Sequence, residues 1–135
     1  MKKVLLLVAL PLLLIVNAFG QEAKVDGPKI TFEETKHEFG DITQGDVVTH
    51  VFKFKNEGTA PLQLNNVRTT CGCTAPQWPK EAIMPGETSE IKVVFNSRGK
   101  RGLQNKVITI YSNAVNNTET VKIVTNVLMP KQETE

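Results

Sequence analysis

Asp46-Val47-Val48-Thr49-His50-Val51-Phe52-Lys53-Phe54-Lys55 is the stretch that decides the fold. Successive side chains of an extended strand point to opposite faces. Val48, His50, Phe52 and Phe54 therefore share one face, while Thr49, Lys53 and Lys55 share the other with Val47 and Val51. A period of two with a Val/Phe bias is the signature of a half-buried strand. Asn56-Glu57-Gly58 ends it as a turn.

The same pattern recurs outward in both directions. Lys29–Phe32 predicts a first strand, with Ile30 and Phe32 on one face, and His37–Ile42 a second, stopped at Gln44-Gly45. In Pro61–Arg68, Leu62 and Leu64 alternate until Asn65-Asn66 disturbs the period, as a bulge does. Ala82-Ile83-Met84 leads into a Pro85-Gly86 turn, and Thr88–Phe95 alternates again through Ile91, Val93 and Phe95. After the basic, glycine-containing loop Asn96–Gly102, Leu103–Ser112 and Glu119–Leu128 form two last strands around an Asn-rich turn. No segment beyond residue 20 sustains an apolar period of 3.6. About seven short strands with turns every 8–12 residues predict an all-β chain, an immunoglobulin-like antiparallel β-sandwich over residues 29–129. Residues 21–28 (QEAKVDGP) read as a flexible leader and residues 130–135 as a charged tail.

Met1-Lys2-Lys3 is a short basic start, Val4–Val16 an uncharged apolar run, and Ala18 and Gly20 place small residues before a cut at Gln21. This is the pattern of a secretory signal peptide over residues 1–20. The run is well short of the ~20 residues that a membrane span requires. Cleavage with no membrane span afterwards is the expectation, with the product exported to periplasm, cell surface or medium. Loss of Lys2 and Lys3 leaves basic and acidic residues equal in number. A balanced chain without a basic cluster argues against nucleic acid as a partner. The short run Arg98-Gly99-Lys100-Arg101 reads as a solvated turn.

Both cysteines and the only tryptophan lie in Thr69-Thr70-Cys71-Gly72-Cys73-Thr74-Ala75-Pro76-Gln77-Trp78. On a straight strand the two Cα atoms would approach the upper limit of the roughly 4.4–6.8 Å that a disulfide tolerates. A Cys71–Cys73 bridge thus requires a turn between them, which Gly72 is expected to permit. Three chemistries are compatible with the pair: an idle structural bridge, thiol–disulfide exchange through a strained small ring, and two thiolates for Cu(I). Zinc is less suited, because a structural site wants four ligands and this motif supplies two; His37, His50 or Met84 would complete a set only if the fold brought them close. His50, on the Phe52/Phe54 face, reads as a buried or half-buried core histidine, and His37 has no partner at metal-ligand spacing. Trp78 reads as a plug closing the loop against the sandwich or as an exposed binding anchor. Asn116-Asn117-Thr118 matches a glycosylation acceptor.

The order of Phe39-Gly40-Asp41-Ile42, Gly45, His50 through Gly58, Pro61-Leu62, Cys71-Gly72-Cys73-Thr74, Pro76 with Trp78, Pro85-Gly86, Ile91 with Phe95, and Ser112-Asn113 resembles a bacterial family catalogued as domain of unknown function 1573. The resemblance covers roughly residues 30–128. It implies an immunoglobulin-like sandwich related to major-sperm-protein and ASH-type domains, and export; it implies no activity. Thr70 stands where serine is frequent in the family.

The sequence holds no Gly-rich phosphate loop, no HExxH, no GxSxG and no carboxylate pair placed for acid–base work. No cofactor is expected. The expected function is a non-catalytic interaction module of the cell envelope. It would bind a protein or envelope polymer through its sheet edges and the loop of Thr70, Cys71, Gly72, Cys73, Thr74 and Trp78. The alternative is a redox or Cu(I)-handling protein acting through Cys71 and Cys73.

Overall fold

A computed structural model describes residues 25–133; the signal segment expected at 1–20 lies outside the described residues. Among them the chain forms eight strands and no helix: β1 (Ile30–Phe32), β2 (Lys36–Thr43), β3 (Val47–Asn56), β4 (Leu64–Thr69), β5 (Thr74–Gln77), β6 (Thr88–Asn96), β7 (Gly102–Ser112) and β8 (Thr118–Leu128). They build two four-stranded sheets, β1-β3-β6-β5 and β2-β8-β7-β4. The alternation read from sequence sets which side chains go between them. Phe52, Phe54, Ile91, Val93 and Phe95 come in from one sheet, and Leu64, Val67, Ile108, Ile110, Val121, Ile123 and Val127 from the other. Each large side chain buried this way stabilises the fold by roughly 1.5–3 kcal/mol.

The seven expected strands are all present, and the disturbance at Asn65-Asn66 is a register shift between Leu64 and Asn66 of β4. The eighth strand is β5. It lies in the stretch read as a loop and carries Pro76, which a strand accommodates at a sheet edge.

One pairing departs from the antiparallel expectation: β2 runs parallel to β8. Turn residues Gln44–Asp46 reverse the chain between β2 and β3, closed by the Asp46 N–H on the Thr43 carbonyl at 2.9 Å. β3 is antiparallel to β1, so β1 and β2 run the same way. They are one extended stretch that changes sheets at residues 33–35, and its second half runs beside the last strand in the same direction.

The leader is also corrected at its end. Gly27 and Pro28 are tied down: the Thr59 and Val115 amides donate to their carbonyls at 2.8 and 2.9 Å, and the Gly27 amide donates to Thr59 Oγ1 at 2.9 Å. Gly58 packs directly under this segment, where a methyl group would collide with the Gly27 carbonyl and the Lys29 amide. Asn56, fully buried, organises the same corner. Its amide donates to the carbonyls of Ala60 (2.8 Å) and Ile83 (2.9 Å), and its oxygen accepts from the amides of Gly58 (3.0 Å) and Lys29 (3.3 Å).

Candidate functional site

The Cys-Gly-Cys segment is the crossing from β4 in one sheet to β5 in the other. Cys71 and Cys73 form a disulfide, with Cα atoms 5.3 Å apart, so the chain does turn between them. Gly72 is not what makes the turn. It has no positive φ, and an added Cβ there would meet nothing within 4 Å. Hydrogen bonds around it hold the turn instead. The Thr74 amide donates to the Cys71 carbonyl (3.3 Å), the Asn96 amide to the Cys73 carbonyl (2.9 Å), and the Thr69 hydroxyl is shared between the Cys71 and Thr74 carbonyls (3.0 and 3.2 Å). The buried Thr74 hydroxyl lies within 4.0 Å of both sulfurs. Thr70 and Gly72 are exposed, and the cysteines are half-buried, with Cys73 against the core.

Trp78 packs on the core, and Lys80 Nζ sits 3.0 Å above its ring centroid. The indole is half-buried, with core on one side and an ammonium on the other.

At the opposite edge of the sandwich the chain leaves a gap. β1 pairs only with Phe54–Asn56 of β3 before it changes sheets. The last bond is the Glu33 amide on the Lys53 carbonyl, 3.0 Å. In an antiparallel ladder the N–H and C=O of alternate residues face the same neighbour. Even-numbered residues of β3 face β6, as the bonds Asn56 N–H to Glu87 C=O (3.0 Å) and Ser97 N–H to Asp46 C=O (3.0 Å) fix at the two ends. Odd-numbered residues therefore face the other way. For Val47, Thr49 and Val51, no described residue takes up the backbone groups on that side.

Inside this gap His37 of β2 and His50 of β3 stack face to face, ring centroids 3.5 Å apart and planes within 7°. Glu34, in the crossing, hydrogen-bonds His50 Nε2. Phe39 and Phe52 stand edge-on beneath the two imidazoles, each with a centroid separation of 4.7 Å. Burial, then the neighbouring His50, hold the His37 pKa below the usual histidine value, while Glu34 opposes them. His50 is half-buried as expected. The expectation that His37 lacks a partner is overturned, because the partner comes from across the β2–β3 turn. Both histidines flank Gln44-Gly45-Asp46, and folding the sequence about that turn was the signal available.

The fold does not bring His37, His50 or Met84 to the cysteines. The width of a sheet, three steps of about 4.8 Å, separates the Cys71–Cys73 crossing from β2. Met84 sits at the far end of β6 from Cys73, roughly 25 Å of strand away. Asn116 is likewise occupied. Its amide nitrogen donates to the Ile30 carbonyl (2.7 Å) and to Glu119 (2.9 Å), and its oxygen accepts from the Ile30 amide (3.2 Å). The acceptor motif thus caps β1 and does not present a free amide to a sugar.

No curated protein matches the chain. Among solved structures it is similar to the secreted serine protease VesC of Vibrio cholerae (16% identity, TM-score 0.58), covering 73% of this chain but 23% of that one. It is similar to a protein of unknown function from Porphyromonas gingivalis (16% identity, TM-score 0.66), covering 81% of this chain and 51% of that one. The ASH/PapD-like domain 7 of human CEP192 is similar along nearly its whole length: 10% identity, TM-score 0.66, 97% and 99% covered. At these identities the likeness is one of fold. Residues 30–127 match the family described as protein of unknown function DUF1573, and the chain belongs to that family.

Proposed function

We propose that this protein is a non-catalytic interaction module of the cell envelope, and that the β3 edge from Val47 to Lys53 takes up an extended segment of a partner polypeptide as an added strand. The observation that carries this reading is the row of outward backbone groups on Val47, Thr49 and Val51, in a lane that β1 vacates. Such an edge is a template for strand addition, in which main-chain bonds give affinity and alternate side chains give selectivity. Val47, more than half exposed, and Val51 lie on the outer face for an incoming strand to cover. The other edges are less suited: β5 is short and holds Pro76, and β4 and β2, the edges of the second sheet, each carry a register shift. The chain's membership of a family without assigned activity, and its likeness to an ASH/PapD-like domain, are consistent with a binding role.

The test is a photo-crosslinking residue at Thr49 in cells, with binding of the captured partner then measured against Thr49→Pro. The proline removes the outward N–H and leaves the bonds to β6. The reading expects binding to fall at least tenfold. Binding unaffected by Thr49→Pro contradicts it, as does turnover of a small substrate by the purified chain.

A second reading rests on the half-buried Cys71–Cys73 disulfide at the opposite edge. Its small ring would be readily reduced. A client dithiol would be oxidised to its disulfide as Cys71 and Cys73 become thiols, and those thiols suit Cu(I). This reading expects Cys71→Ser and Cys73→Ser to abolish function with the fold intact; full function in both removes it.

A further inference from the structure

We propose that Glu34, His37 and His50 form a binding site for a divalent transition ion of the zinc type, across the gap between the two sheets. One ligating atom from each of the three side chains lies within 4.8 Å of the others. A tetrahedral zinc with bonds of about 2.0–2.1 Å places its ligands roughly 3.3 Å apart, so a contraction of roughly 1.5 Å closes the set. Glu34 is exposed and lies in the short crossing 33–35, where a shift of this size meets little resistance. The stacked imidazoles need only turn about Cβ–Cγ to converge on one ion, and that torsion is soft.

The surroundings favour an ion here. Backbone pairing places both rings from rigid elements, His37 opposite Ile123 and His50 opposite Val93, so two of the three ligands are positioned before any ion arrives. Phe39 and Phe52 stand edge-on against the two imidazoles and hold them in place. Among the described residues the ring nitrogens of His37 have no protein hydrogen-bond partner, so at these three side chains the bond that an ion replaces is that between Glu34 and His50 Nε2. Lys36, the adjacent cation on β2, is held in an ion pair by Glu38.

The donor set selects the ion. Two imidazole nitrogens and one carboxylate suit zinc and its neighbours copper(II), nickel and cobalt(II), whereas calcium and magnesium want oxygen and copper(I) wants sulfur. Three protein ligands leave the fourth position to water. The ion would join β2 of one sheet to β3 of the other beside the open edge. The site does not rest on strand addition there, and neither proposal falls with the other.

The experiment is titration of the tag-free chain, its disulfide intact, with Zn²⁺ by calorimetry and with Co²⁺ by visible absorption. The expected result is one ion per chain, with the d–d bands of a tetrahedral cobalt. Glu34→Gln and His37→Gln are each expected to weaken binding at least about tenfold, as loss of even a supporting partner does. Glu34→Gln is the informative variant, since it is isosteric at an exposed position and leaves the core untouched. Absence of saturable uptake overturns the proposal. Uptake unchanged in either variant overturns it as well, because the ion is then held elsewhere.

Discussion

Asn56 and His50 show how far a single residue's fate depends on tertiary neighbours. Asn56 closes the alternation of β3 and is read as the first residue of a turn, yet it is fully buried and bonded to four backbone groups. Removing the amide leaves the carbonyls of Ala60 and Ile83 and the amide of Gly58 without it. Asn56→Ala is therefore expected to destabilise the fold by roughly 2–4 kcal/mol, read from the midpoint of urea unfolding. The inward positions of Phe52 and Phe54 were legible because period two fixes the face of every residue once one is placed. The partner of a turn amide was not, because that depends on which distant segment covers it. The meeting of His37 with His50 was legible only in part: the turn at Gln44–Asp46 brings the two segments back past each other, but that they face one another from different sheets depends on the pairing of β2 with β8. Gly72 is the reverse case. It was expected to permit the turn, and the backbone turns there without a positive φ.

β3 has two chemically distinct sides along its first half, one bonded to β6 and one open. Neighbouring residues should therefore respond oppositely to proline. Thr49→Pro removes an N–H that faces the open lane and is expected to change stability by about 1 kcal/mol or less. Val48→Pro removes one that faces β6 and is expected to destabilise by roughly 2–4 kcal/mol. Comparison of the two unfolding midpoints checks the assignment of sides. That β3 is a strand, and which face it buries, was plain in the sequence. That its edge is open was not, since this follows from the change of sheet after Phe32, a choice made by how β2 finds β8. β5 escaped notice because Pro76 argues against a strand, a rule that an edge strand is free to break.

At the scale of the whole molecule, five connections pass between the sheets, and two of them join edge strands, one at each side: residues 33–35 between β1 and β2, and the Cys71–Cys73 segment between β4 and β5. The core between them is extensive and does not depend on the disulfide. In the chain-entropy account so short a loop contributes only on the order of 1–2 kcal/mol. Cys71→Ser with Cys73→Ser, or reductant, is expected to destabilise the fold by about that much, read from urea unfolding, and leave the circular dichroism of the folded chain unchanged. Fold class and family were legible from the number of alternating segments and the order of motifs such as Phe39-Gly40-Asp41-Ile42 and Cys71-Gly72-Cys73-Thr74. Sheet order, the parallel β2–β8 pair and the open lane were not, because pairing is decided between segments far apart in sequence. Residue-resolved amide hydrogen exchange tests the central claim most directly, on the free chain and on the chain with a captured partner. The account predicts rapid exchange at Val47, Thr49 and Val51 and slow exchange at Val48, His50 and Phe52 in the free chain, with the first three becoming protected when the partner binds. Equal protection of both sets in the free chain, or a bound partner that leaves Thr49 and Val51 exchanging freely, would contradict it.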